Sequence, residues 1–171
     1  VNAVSIAVVK NYKIEWVKAY GFADVSEKRP TTTKTLFQAA SISKSFNSLG
    51  VLRLVEAKKL NLDQDINTFL KTWKFPYDSI SKGKKINIAQ LLSHTAGLSV
   101  SGFGGYEKGQ ALPTITQILD GAKPANSNAV RSIFEPSLKF QYSGGGTTVS
   151  QLIVEDVTGE KYADYMQKNV L

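Results

Sequence analysis

There is no cysteine in this sequence of 171 residues, and only one histidine, His94. The first absence removes disulfides, thiol nucleophiles and thiolate metal sites together. The second rules out a His-rich metal centre built from this chain alone. Long apolar runs are also missing, so no stretch is long enough to span a membrane. Acidic residues are the minority, 14 against 21 Lys and Arg, for a formal charge of +7. That excess allows attraction to anionic surfaces, yet the lysines are scattered along the chain. Only Lys82, Lys84 and Lys85 cluster, around a glycine, with no aromatic residues among them to stack on bases. The basic balance therefore reads as a solvated surface, not a nucleic-acid site.

What is present suits a globular fold. Hydrophobic residues make up 42% and charged residues 20%, and the length allows one domain with a true core. No linker, composition shift or internal repeat divides the chain. Val1 runs at once into apolar residues without an initiator Met or signal peptide, so the sequence reads as processed, engineered or partial, and no targeting can be read from it.

Residues 4–9 (VSIAVV) have the composition of a buried strand, and residues 14–20 follow as its hairpin partner after a turn at 10–13. Gly21 is expected to bend or end the second strand, and 24–30 to form a polar loop. A Thr-rich extended approach, 31–35, leads to a helix beginning near Ser41. Ile42, Phe46, Leu49, Val51, Leu52, Leu54 and Val55 cover nearly every side of it, which predicts a buried, central helix ending at Lys58 and Lys59. Residues 61–66 read as a connecting turn, and Trp73, Phe75, Pro76 and Tyr77 as an irregular aromatic segment. Asn87 is the expected N-cap of a short helix over 87–92. A long Gly- and Ser-rich loop then runs over 93–110. Thr114 and Gln117 form a capping-box pair for a short helix stopped by Gly121, and 123–128 is a linker-like polar run. Residues 139–142 are extended. After the glycines at 144–146, a helix carries Val149, Leu152, Ile153 and Val157 on one stripe, stops at Gly159, and is followed by an amphipathic helix over 162–170.

The chemistry centres on Ser41 and Lys44. Their spacing puts both side chains on one helix face, about 5–6 Å apart at Cβ. A serine hydroxyl needs a neighbour to take its proton. A lysine can do so only if its pKa falls, and burial near a helix N-terminus works in that direction. The backbone N–H of Ser41 at such a terminus also offers one oxyanion donor. The tetrapeptide SISK occurs twice, however, at 41–44 and again at 79–82. The second copy runs into a charged turn with no apolar helix behind it and reads as a solvated loop. Spacing alone leaves the first copy open between a catalytic pair and an ordinary helix start.

Three segments in order carry a resemblance: residues 37–44 (FQAASISK), 91–98 (LLSHTAGL) and 142–146 (YSGGG). The chain resembles the N-terminal half of a penicillin-recognising serine hydrolase of the class C β-lactamase, D-alanyl-D-alanine carboxypeptidase and esterase type. The resemblance implies an α/β (α+β) fold, a mixed sheet flanked by helices plus a mainly helical region. Residues 1–36 would supply the first strands and 37–171 the nucleophile helix and helical region. It implies Ser41 as the acylated nucleophile, Lys44 as an aid to its deprotonation, and Tyr142 as the phenol that shuttles protons. On the residues alone, Tyr142 reads as a packed core tyrosine beside Phe140. His94 is assigned to structure, because no Asp or Glu lies near it in sequence to complete a triad.

Departures shape the expectation. Gly144 stands where many relatives carry a substrate-binding Asn, which favours an esterase or peptidase-like role over a true β-lactamase. Ala96 and Ser137 stand where relatives often have Ser and Gly. The third motif, on a later sheet strand, is absent, so the missing half of the domain is expected elsewhere. The substrate would be a small-molecule or peptide ester, amide or β-lactam, with no metal or organic cofactor, in a periplasmic or secreted setting. A non-enzymatic domain that binds a peptide or serves as a scaffold is the competing reading.

The scattered charge makes one prediction: duplex DNA is not retained between about 50 and 200 mM salt, the range in which phosphate-dependent binding changes most steeply. Salt-sensitive retention in a filter-binding assay would overturn it.

Overall fold

A computed structural model describes residues 2–171, which form two compact units, one ending at Ala40 and one spanning Ser41–Leu171. The first unit is an antiparallel sheet of β1 (Ala3–Lys10), β2 (Lys13–Asp24) and β3 (Arg29–Pro30), in that order. Asn11 and Tyr12, both at positive φ, make the two-residue hairpin turn, and Val4 pairs with Tyr20. Gly21, at φ 81°, bends β2 without ending it. A Cβ there would lie 2.1 Å from the Asn2 carbonyl oxygen, so only glycine fits. The polar loop is consequently shorter than 24–30, because Asp24 closes β2 and Arg29–Pro30 pairs back onto it.

The expectation of a buried first strand is corrected: most of β1 is exposed, Val4, Ile6 and Val9 among its residues. A ribbon this narrow has no second layer of its own to cover either face.

The second unit is helical: α1 (Ser43–Glu56), α2 (Ile66–Phe69), α3 (Ile88–Leu92), α4 (Ile115–Asp120), α5 (Gly144–Thr158) and α6 (Tyr162–Asn169). Its central helix is α5, against which all five others pack. Val149, Leu152, Ile153 and Val154 of α5 are buried together with Ile66, Ile88, Leu91, Leu119 and Val51. The centrality expected of α1 is thereby corrected. Asn47, Gly50, Val51 and Leu54 face α5 and α6, whereas Ile42, Phe46, Leu49 and Leu52 lie exposed. All-round apolar character marks a helix fit for burial, but the packed neighbours here occupy one side only.

Capping follows the residues. Asn87 with Gln90 and Thr114 with Gln117 close two capping boxes, while Gly121 and Gly159 stop α4 and α5 in the left-handed conformation. The segment 61–66 ends in α2 rather than remaining a turn, with the Asp65 side chain capping it through the Asn67 N–H. The polar run 123–128 is packed rather than linker-like: Ala125 is buried and Asn126 donates to the Gly105 carbonyl at 2.7 Å.

Polar ties fix the helices to one another. The Asn47 amide on α1 donates to Ser150 Oγ of α5 at 2.8 Å and accepts from the Tyr162 hydroxyl of α6 at 2.9 Å. Gly50 lets α6 approach, since a Cβ there would sit 2.6 Å from Met166 Sδ. Buried Asp156 of α5 accepts from the N–H groups of Lys71 and Thr72 and from Thr72 Oγ1, at 2.7, 3.2 and 2.9 Å. Replacing it strands these donors, so Asp156→Ala is expected to cost about 2–4 kcal/mol in urea denaturation. Exposed Asp63→Ala should stay within about 0.5 kcal/mol. Equal losses for the two variants would contradict this account of the packing.

Candidate active site

Ser41 lies in a 3-10 turn, Ala40–Ile42, that runs directly into α1. Ala40 has φ 46°, a conformation costing a Cβ-bearing residue roughly 1–2 kcal/mol. Lys44 follows in the first turn of α1, half-buried, with Nζ 3.3 Å from Ser41 Oγ. Tyr142 comes from a segment 101 residues away, yet its hydroxyl donates to the same Ser41 Oγ at 2.7 Å. The Lys44 ammonium also sits 4.9 Å from the centroid of the Tyr142 ring. The structure thus brings together the three side chains singled out in the sequence.

Lys44 first, and then the hydrogen bond to Ser41, hold the Tyr142 phenol below its ordinary value of 10, against a smaller opposing effect of burial. A phenol drawn down in this way can lose its proton more readily than a free tyrosine. The 2.7 Å contact then runs in reverse, with Ser41 as donor and the phenolate as acceptor. One side chain can therefore take the serine proton and later return it.

The Tyr142 segment is held firmly. Ser143 is the N-cap of α5: its Oγ accepts from the Gly146 N–H at 2.9 Å and donates to the Ser99 carbonyl at 2.7 Å. Sequence reasoning missed this residue, although a serine three positions before a helical N–H is itself a capping signal. Gly144 is buried, and its N–H donates to the Ser101 carbonyl at 3.2 Å. A Cβ at 144 would lie 3.1 Å from Ser101 O and 3.3 Å from the Phe103 ring, so a larger residue would have to displace that loop.

His94 is part of the same neighbourhood. Its ring lies 4.5 Å from that of Tyr142 and 5.9 Å from that of Phe140, and its Nδ1 accepts the Ser143 N–H at 3.2 Å. Burial, and after it the charge of Lys44, pushes the imidazole below its ordinary 6.5 and keeps it neutral at pH 7. The groups bonded to Ser41 Oγ are Lys44 and Tyr142. Ser137, where relatives often have glycine, adopts φ 66°, the left-handed region in which glycine is least costly. Ala96 is buried at an apolar position.

The second SISK copy is built differently. Ser81 is 2% exposed and donates to the Asp78 carbonyl at 2.8 Å, while the Lys82 side chain extends into solvent toward Glu135. The expectation of a solvated loop holds for Lys82 and fails for Ser81, because the 3-10 turn Ser79–Ser81 rotates the serine inward. Among the described residues, no group of three His, Cys, Asp or Glu side chains gathers to hold a metal, and no helix is long and apolar enough to cross a membrane.

Comparison with known proteins finds relatives along the length of the chain. The chain is 30% identical over 152 residues to a penicillin-binding protein of Bacillus subtilis (strain 168), covering 89% of this chain and 32% of that one. Among solved structures it is similar to the octameric penicillin-binding protein homologue from Pyrococcus abyssi, at 26% identity and a TM-score of 0.79, over 100% of this chain and 38% of that one. It is also similar to the D-amino acid amidase from Ochrobactrum anthropi SV3, at 26% identity and a TM-score of 0.77, over 98% of this chain and 44% of that one. The chain spans about a third of the length of the curated relatives it matches, 33% of one and 32% of another, and so represents part of their domain. The family model described as Beta-lactamase matches residues 1–171, and the chain belongs to that family.

Proposed function

We propose that this chain carries the nucleophile half of a serine hydrolase that works through an acyl-enzyme at Ser41. The observation that carries the reading is the convergence of Tyr142 and Lys44 on one serine oxygen, at 2.7 and 3.3 Å. In the first half-reaction Ser41 Oγ attacks the carbonyl carbon of an ester, amide or β-lactam as its proton passes to the Tyr142 phenolate. Lys44 stabilises that phenolate. The backbone N–H of Ser41 supplies one oxyanion donor. Collapse of the tetrahedral intermediate breaks the bond to the leaving group, which takes the proton from Tyr142. Water then attacks the Ser41 ester as one of its protons passes to the Tyr142 phenolate. Collapse breaks the bond to Ser41 Oγ, which takes that proton from Tyr142, and the acid is released.

Gly144 supports an ester or amide substrate over a β-lactam. It offers no side-chain amide, and its N–H is already engaged by Ser101. A second oxyanion donor belongs, in this reading, to the part of the domain that the chain does not span. Export to the periplasm or medium is part of the same reading.

Intact-protein mass spectrometry after treatment with a fluorophosphonate and, separately, a penicillin tests this. It is run on these residues and on a chain completed to the length of the relatives. The completed chain is expected to gain one adduct that Ser41→Ala abolishes, and Tyr142→Phe should slow labelling about 10²–10⁴-fold. No adduct on the completed chain would overturn the proposal.

The pH dependence follows from the lowered Tyr142 pKa. The reactive phenolate fills as pH rises, so labelling should climb and level off with a midpoint below 10. Lys44→Met removes the main cause of the lowering and should move the midpoint upward. A midpoint unmoved by this substitution would contradict the assignment.

A further inference from the structure

Tyr142 is gripped from one residue at two points. The His94 carbonyl accepts the Gln141 N–H at 2.7 Å, immediately before the phenol. His94 Nδ1 accepts the Ser143 N–H at 3.2 Å, immediately after it. Between these bonds the imidazole lies against the Tyr142 ring, centroids 4.5 Å apart and planes tilted by 40°. His94 holds this place with an uncommon backbone conformation, φ 58°. Nothing in the proton-transfer scheme uses this histidine, yet its place is set by three separate contacts.

We propose that His94 is a positioning residue for Tyr142: its carbonyl and Nδ1 clamp the backbone on either side of the phenol, and protonation of the ring opens half of that clamp. The proposal rests on the reading that Tyr142 serves Ser41. An imidazole whose Nδ1 accepts must be the Nε2–H tautomer when neutral. Protonation turns Nδ1 into a donor facing the Ser143 N–H, and two donors repel. It also adds a second positive charge beside Lys44. Ser143 is the N-cap of α5, so the loosened bond lies at the joint between the phenol and the central helix.

The groups that act on the ring can be named. Lys44, from α1, lowers the His94 pKa after burial does. The Tyr142 phenol is a second titratable neighbour, its ring 4.5 Å away. The helix that ends before His94, α3, carries no ionisable side chain, and Lys139, beside Phe140, directs its ammonium to the Phe134 ring at 4.8 Å. With the folded pKa lowered, the clamp is complete above 6.5. It is lost as pH falls through the lower, folded value.

His94 is the only histidine, which makes its ring signals unambiguous in a nuclear magnetic resonance titration of the 171-residue chain. The expected result is an Nε2–H tautomer titrating below 6.5, with the Ser143 amide and Tyr142 ring signals moving at the same midpoint. Two variants separate the parts of the clamp. His94→Asn keeps an acceptor and tolerates positive φ, so the neutral-pH signals should persist while the acid-side movement disappears. His94→Phe keeps a ring but no acceptor, so the Ser143 amide should sit at its unbonded position at every pH. On the completed chain, His94→Phe should slow fluorophosphonate labelling about ten- to hundredfold at neutral pH, with His94→Asn restoring much of the rate. An Nδ1–H tautomer, or Tyr142 signals indifferent to the titration of His94, would overturn the proposal. Loss of labelling in the unaltered chain bears instead on the hydrolase reading, because the resonance titration decides the clamp without any turnover.

Discussion

A serine oxygen that accepts from both a phenol and an ammonium must be held to within about half an ångström by surroundings that do not move. Two of these three groups come from the 3-10 turn and the first turn of α1 that follows it, and the third from a segment 101 residues after Ser41. Their meeting depends on how α1 is docked on α5. The Asn47 amide bridges α1 to Ser150 on α5 and to Tyr162 on α6, and the Tyr165 hydroxyl adds a bond to the Gly50 carbonyl. Buried amide and hydroxyl groups are costly when unpaired, so these ties select one register of α1 rather than many. The other end of the constraint is Ser143, which caps α5 and fastens the tyrosine segment to the Ser99 carbonyl.

The same packing leaves one face of α1 bare, and β1 and β2 expose Val4, Ile6, Ile14 and Trp16. Exposed apolar residues on this scale are unusual for a finished monomer surface. They accord with a chain that spans about a third of its curated relatives' length, 32% in one case. The helical unit is nonetheless internally well connected, because its core is organised around α5 and not around α1.

Local chemistry was the legible part of the sequence. The Asn87–Gln90 and Thr114–Gln117 boxes and the glycine stops at Gly121 and Gly159 act within one or two turns, where spacing alone decides. Burial was less legible. The apolar residues of α1 and β1 announce faces suited to covering, but no pattern within a helix or strand says whether a covering layer is present. The ties through Asp156 and Asn47 were invisible for a similar reason, since each joins positions far apart in sequence. At the site, the spacing of Ser41 and Lys44 gave a shared face, whereas nothing local links Tyr142 to them. That link came from the resemblance, and His94 shows its limit. The lack of a nearby carboxylate speaks against a triad, but the grip of His94 on the tyrosine segment, through both backbone and ring, joins positions far apart in sequence.

In the proposed reaction the Tyr142 phenolate accepts the Ser41 proton. The most direct test compares two pH profiles on a chain of full relative length: the rate of Ser41 acylation, followed by intact mass, and the phenolate absorbance assigned to Tyr142 by difference from Tyr142→Phe. One shared midpoint, below 10, is the expected result. Acylation that stays flat while Tyr142 ionises, or that follows a different midpoint, would contradict it.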